Sequence, residues 1–210
     1  MHSVLHYTTR MSSRIVFFDT ETTGLPTKRN ISALKEQGVW PDIVSICWWV
    51  FEGTAVVKKA NYLIRPSGWS IPYESTKIHG ITQSQALSQG SDLLEVLLEF
   101  KTDIQEVKYL VAHNMEFDKN VILNAFLWRL KIDPSTFWPS DAEFCSAQKS
   151  KDELKLASLY PKPWDLYKIP KLDELYQATF YKASPSGAHN AERDVDVLQQ
   201  IFWKRWPLLL

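Results

Sequence analysis

RIVFFDTETTGLP, residues 14–26, is a run of apolar β-formers that enters two acids, Asp19 and Glu21, before Gly24 and Pro26 turn the chain away. Side chains alternate faces along an extended strand, so the two carboxyls point the same way, ~7 Å apart along the chain. Like charges on one side of a core strand repel, and something positive is needed to hold them there.

Working outward, PDIVSICWWVFEG and TAVVKKANYLIRP read as two more strands, with Glu52 and Gly53 as the turn between them, which makes an opening β-meander. Trp48 and Trp49 then face opposite sides, one packing inward and the other meeting a covering helix. RPSGWSIPYESTKIHGIT, with its Pro, Ser and Gly residues, reads as a loop. A helix capped by Asp92 follows, then the short buried-type strand KYLVAH. NMEFDKNVILNAFLWRL leaves that strand at once, with Phe117, Val121, Phe126 and Leu130 on roughly helical spacing and Asn114 available as N-cap. Five prolines make residues 133–170 irregular, with one strand around EFCSA. KLDELYQATF is an amphipathic helix, and the last helix runs from about Ala191 to Trp206, closed by Pro207. This order predicts an α/β fold, a mixed five-stranded sheet flanked by helices. Three antiparallel strands come first, and later ones, arriving through helical crossovers, pair parallel to the first.

The 210 residues fit one domain over 13–207 with a flexible lead at 1–12. Lys plus Arg and Asp plus Glu number 24 each, which excludes capture of a polyanion by a global positive field. Cys47 and Cys145 form no CxxC or zinc-ligand pattern, so a reducing, intracellular compartment, cytoplasmic or nuclear, is expected. No apolar run approaches the ~20 residues that span a bilayer.

Three acidic clusters stand out: D-T-E-T-T-G with Asp19 and Glu21; V-A-H-N-M-E-F-D with Asp118 one turn into a helix that leaves a strand's C-terminal edge; and H-N-A-E-R-D with Asp194 in the last helix and His189 five residues ahead. If the first and fourth strands are neighbours, two clusters meet at one sheet edge and the last helix completes the site. Four such carboxylates need cations, and an all-oxygen donor set suits two Mg²⁺ or Mn²⁺ ions. Ions ~3.5–4 Å apart orient a water and stabilise the leaving oxygen of a displacement at phosphorus. Five residues on a helix is about 140° of rotation, so His189 sits on the approach to the helix rather than within it. There, after Ser186 and Gly187, it can take a proton from the attacking water.

Asp19 and Glu21 in D-x-E-T, Asp118 in H-N-x-x-F-D, and His189 with Asp194 in H-x-x-x-x-D resemble, in order and over residues 14–206, the motifs of the DEDDh exonucleases. That family is similar to the proofreading subunit of bacterial replicative polymerase and has a ribonuclease H-like fold. The sister class carries a tyrosine four residues before the last aspartate, where this chain has Asn190. The resemblance implies metal-dependent release of nucleoside 5′-monophosphates from a 3′ end. Asp19, Glu21, Asp118 and Asp194 would be ligands to the two ions and His189 the general base. Thr22, Thr23 and Leu25 would meet the terminal nucleotide, Leu25 as a wedge, while Asn114 and Phe117 lie along the substrate and His79 of K-I-H-G-I-T lines the nucleotide pocket. Single-stranded or frayed DNA is the expected substrate, RNA the enzymatic alternative, and a non-cutting module docked to a polymerase or repair complex the non-enzymatic one. A homodimer is compatible with the sequence.

Simpler roles compete at several positions. Phe117 fits core as well as substrate, and His79 a loop contact as well as a pocket wall. His113 is expected to orient its loop, and Glu192 and Asp196 to face solvent. Trp69 and Trp164, both in loops, are expected to plug the edge of the core rather than stack on bases. Seven lysines against five acids between Lys149 and Lys182 is an excess that a solvated surface explains.

Overall fold

The computed structural model describes residues 13–28 and 30–209, so the expected lead at 1–12 lies outside the described residues. Strands β1 (Arg14–Thr22), β2 (Ile43–Glu52), β3 (Ala55–Leu63), β4 (Tyr109–Ala112) and β5 (Glu143–Cys145) form one sheet in the order β3-β2-β1-β4-β5. β1 runs antiparallel to β2 and parallel to β4, and β5 is parallel to β4, as the expected crossovers require. The β2–β3 turn is Gly53–Thr54, one residue later than expected, because Gly53 takes a φ of 59° that glycine adopts without strain.

The segment read as a loop before the first long helix instead holds α1 (Tyr73–His79) and α2 (Gln83–Gln89). Each buries only one small residue, Ser75 and Ala86, so neither shows an apolar stripe. Their signals are local: Gly80 ends α1 with a left-handed φ of 76°, and the Thr82 hydroxyl accepts from Gln85 N at 3.1 Å to start α2. α3 (Leu93–Asp103) begins at Asp92, whose carboxylate accepts from the backbone of Leu94 and Glu95. α4 (Met115–Asn124) continues into a π turn over Ala125–Arg129. The five-residue step from Val121 to Phe126 in the apolar series is what that wider turn accommodates, with Leu130 N bonded to Ala125 O at 3.0 Å.

Residues 133–170 carry more order than expected: α5 (Ser146–Leu154) and a hairpin of β6 (Ala157–Lys162) and β7 (Asp165–Tyr167). α5 buries Ser146, Ala147 and Ser150, which are too small to mark a periodicity. α6 (Leu172–Phe180) and α7 (Ala191–Arg205) complete the chain's helices as expected.

Alternation along β1 divides the molecule into layers. Val16 and Phe18 join Trp48, Phe100 and Phe126 in a core beneath α3 and α4. Ile15 and Phe17 face the other way, into a core built with Val195, Leu198 and Phe202 of α7. Trp48 and Trp49 split between these faces as expected, and Lys59 Nζ lies 3.3 Å over the Trp49 ring. Phe202 meets Phe17 and Phe144 edge to face, each at a centroid distance of 5.2 Å. Such pairs add about 0.5–1.5 kcal/mol each beyond their buried area and fix α7 across the sheet.

Candidate active site

Asp19 and Glu21 share the face of β1 on which Ile15 and Phe17 meet α7. Asp194, in the first turn of α7, therefore descends onto them, and carboxylate oxygens of Asp19, Glu21 and Asp194 lie within 4.8 Å of one another. Asp118 comes from α4 on the opposite face and is fastened there by Thr20, whose side chain alternates away from Asp19. The Thr20 N–H and hydroxyl both donate to Asp118 Oδ1, at 3.1 and 2.7 Å. Three of the four acids thus form a close group, with the fourth, fully buried, alongside. Thr20 is a participant that the sequence motifs did not mark, although its place between two acids on a strand was the available signal.

The electrostatics follow from this crowding. Burial, and then repulsion from Asp118, Asp194 and Glu21, holds the Asp19 carboxyl well above its ordinary range. Burial, followed by Asp194 and Asp118, lifts Glu21 to about 8. Burial lifts Asp118 to about 7 against the opposing bonds from Thr20. Asp194 is raised by burial, with the Arg193 bond opposing. Arg193 Nη1 donates to Asp194 Oδ1 at 2.6 Å, but among the described residues no cation pairs with Asp19 or Glu21. An all-oxygen, partly buried group in which two of the three acids lack an ion-pair partner fits a hard divalent cation.

His189 lies outside α7, as expected. Asn190 caps the helix by accepting from Arg193 N at 3.1 Å, and His189 itself is exposed with a φ of 63°. Its N–H donates to Asp194 Oδ2 at 3.1 Å, so the backbone is tied to the acidic group while the imidazole stays free to act. Arg193 holds this approach in place by donating to Ser184 Oγ at 3.0 Å, to Asp173 Oδ1 at 2.7 Å and to the Pro185 carbonyl. Arg193 also escaped the sequence reading, its only mark being adjacency to Asp194.

A cavity of about 270 Å³ opens over the acids and is lined by Thr22, Leu25, His79, Phe117 and His189 among others. Leu25, 81% exposed, overhangs its mouth. His79 accepts from Ile81 N through Nδ1 at 3.0 Å, and its half-buried ring is set against the Thr22 backbone. Burial holds this imidazole below the usual histidine range. Phe117 packs against the core and also walls the cavity.

Two expected contacts fall outside that cavity. Thr23 is tied to Asp42, its hydroxyl accepting from Asp42 N at 3.0 Å and its N–H donating to Asp42 O at 3.0 Å. Asn114 occupies the N-cap position with a left-handed φ of 69° and makes no side-chain cap bond, so it turns β4 into α4 through its backbone. It lines neighbouring cavities beyond Phe117. Glu192 is exposed as expected, accepting from Asn61 Nδ2, whereas Asp196 is half-buried through bonds from Gln199 and Gln200.

His113 performs the orienting role. Burial lowers it to about 4, leaving it neutral. Its Nε2 lies 2.9 Å from the Pro170 carbonyl, which only accepts, so the proton sits on Nε2 and Nδ1 accepts from the Ser146 hydroxyl at 2.9 Å.

The RNase_T exonuclease family model matches residues 16–202. The PolC-type DNA polymerase III of Mycoplasmopsis pulmonis (strain UAB CTIP) is 27% identical over 192 residues, which cover 91% of this chain and 11% of that protein. E. coli exonuclease I, solved in complex with a dT13 oligonucleotide, superposes with a TM-score of 0.69 at 18% identity, covering 94% of this chain and 42% of that one. A zinc-bound exonuclease I–ssDNA complex gives a TM-score of 0.68 at 19% identity, with the same coverage. The chain therefore spans under half the length of these relatives and shares the fold of exonuclease I. With its acidic group, flanking histidine and mixed sheet accounted for, the chain belongs to the RNase_T exonuclease family, within the DnaQ-like, ribonuclease H-like superfamily.

Proposed function

We propose that this protein is a metal-dependent 3′-to-5′ exonuclease that releases nucleoside 5′-monophosphates from single-stranded or frayed DNA. The observation that carries this reading is the convergence of Asp19, Glu21 and Asp194 within 4.8 Å, with no cation among the described residues to balance Asp19 and Glu21. The DNA polymerase named among the relatives, and the oligonucleotide held by exonuclease I, support DNA as the polymer. Asp19, Glu21 and Asp194, with Asp118 beside them, would hold two Mg²⁺ or Mn²⁺ ions. Bound there, such ions supply countercharge to the phosphate and lower the cost of deprotonating water.

The chain's own residues do the rest. The exposed imidazole of His189 takes the water's proton, and the Asp194 bond to its backbone keeps it at the rim of the acids. Leu25 and Phe117 receive the terminal base, and His79 walls the pocket beside them. Thr20, donating twice to Asp118 Oδ1, fixes that carboxyl and would leave its other oxygen for an ion.

A 5′-labelled DNA oligonucleotide incubated with Mg²⁺ should shorten stepwise from its 3′ end, and chelator should stop it. An unshortened oligonucleotide with metal present would favour the non-cutting module. The matched RNA oligomer run alongside reads the preference for the 2′-position directly.

Stability offers a test independent of catalysis. Glu21 at about 8 and Asp118 at about 7 lie above their unfolded values of 4.5 and 3.8, so the folded state binds more protons across that window. Their contribution is present at low pH and lost as pH rises to about 8. Metal-free protein should therefore melt at a lower temperature at pH 8 than at pH 5. At pH 8, Mg²⁺ at about a hundredfold over its Kd should add about 2.7 kcal/mol, or roughly 5–10 °C in Tm. Calorimetry showing no Mg²⁺-induced shift at pH 8 would count against metal binding at these acids.

A further inference from the structure

The β6–β7 hairpin packs few side chains inward. Leu159, Tyr160 and Trp164 are 88%, 86% and 82% exposed, so Trp164 does not plug the core as expected but stands in the turn at the hairpin's tip. A two-stranded hairpin is marginal by itself, and this one is held both at its root and beside its turn. Lys168 N donates to Leu156 O at 2.9 Å, Lys151 pairs with Asp165, and the Pro170 carbonyl takes the bond from His113, the residue directly after β4. The next residues, Lys171 and Leu172, line a cavity of about 310 Å³ together with Asp19, His189 and Asp194. The hairpin thus starts at the rim of the acidic site, with Leu159, Tyr160 and Trp164 as its exposed apolar surface.

Charge on this segment is less balanced than its composition indicates. Of the five acids between residues 149 and 182, four are neutralised: Asp165 by Lys151, Glu174 by Lys168, Asp173 by Arg193 and Glu153 by Arg205. Only Asp152 is left, against Lys149, Lys155, Lys162, Lys171 and Lys182, none of which has an ion-pair partner among the described residues. Exposed aromatic rings beside unpaired lysines suit a strand whose bases stack and whose phosphates are anionic. A protein partner is disfavoured by the same inventory, because lysine is depleted at protein interfaces.

We propose that the β6–β7 hairpin is a docking arm for the single strand upstream of the 3′ end, with Tyr160 and Trp164 stacking on bases and Lys162 and Lys171 meeting phosphates. This rests on the exonuclease reading above for the identity of the strand. The arm should lengthen the bound footprint without touching the chemistry.

The test compares wild type with the Tyr160→Ala/Trp164→Ala double variant and with Lys162→Glu, by anisotropy of fluorescein-labelled oligothymidines in chelator. One probe is roughly 20 nucleotides long and the other three. For the long probe the double variant should bind about tenfold or more weakly, and Lys162→Glu should weaken binding and flatten its salt dependence. The short probe should be unaffected, and with Mg²⁺ its hydrolysis should match wild type while KM for the long strand rises at constant kcat. Equal affinity of wild type and both variants for the long probe overturns the arm, as does a wild type that binds long and short probes alike. A sedimentation shift from dimer to monomer in the double variant would assign the surface to a second copy and also overturn it. Failure of wild type to hydrolyse either probe would sink the exonuclease reading, while the chelator arm would still decide whether the hairpin holds a strand.

Discussion

Asp19→Asn should reduce oligonucleotide hydrolysis by about a thousandfold or more, ~4 kcal/mol of transition-state stabilisation. Asp19 is the acid on which burial and repulsion from all three of the others act together. Losing its charge removes a group that acts on every other member of the cluster, so on the proposed reading the remaining three should not assemble two adjacent cation sites. The amide keeps the side chain's shape, so the lesion is in charge and not in packing. A second readout separates this from simple misfolding. In metal-free protein the substitution removes an acid that burial and its neighbours hold well above its ordinary range, so at pH 8 the variant should melt above wild type, and the gain should shrink as pH falls toward 4. Residual activity above about a tenth of wild type, or a lower Tm for the variant at pH 8, would remove Asp19 from the centre of the site.

The acids could be read from the chain because each lies in an element with a strong signal. β1 alternates cleanly, β4 runs directly into α4, and α7 has both a cap at Asn190 and an apolar stripe. Once β1 and β4 are neighbours, the parity of Asp19 and Glu21 and the helical placement of Asp194 leave little freedom in where the carboxyls meet. What stayed hidden depends on side chains too small or too exposed to leave a pattern. α1, α2 and α5 bury serines and alanines, and the prolines at 161 and 163 mask a hairpin whose residues are mostly exposed. Asn114 and Thr23 illustrate a different gap. Motif position put both next to the substrate, but a left-handed backbone and a bond to Asp42 gave them structural work one step away from the main cavity. Charge pairing was equally invisible, since an acid and its neutralising Arg193 or Arg205 lie 20 and 52 residues apart in sequence.

His189→Ala should lower kcat by about 10²–10⁴ while leaving the Mg²⁺-induced rise in Tm intact. The separation of the two effects follows from how the residue is attached. Its single hydrogen bond to the acids runs from the backbone N–H to Asp194 Oδ2, and alanine retains it. The imidazole is exposed and lines the cavities on both sides, so its removal should open space without unpairing a buried group. One complication is the positive φ of 63°, which costs a β-carbon-bearing residue about 1–2 kcal/mol and could shift the loop when the side chain is cut back. His189→Gly removes that strain as well as the ring, so the pair of variants distinguishes base from backbone. If the imidazole is the base, alanine and glycine variants should be equally slow. A glycine variant restored to wild-type rate would make His189 a conformational element. An alanine variant with wild-type kcat across the pH range would move the proton acceptor elsewhere in the cavity.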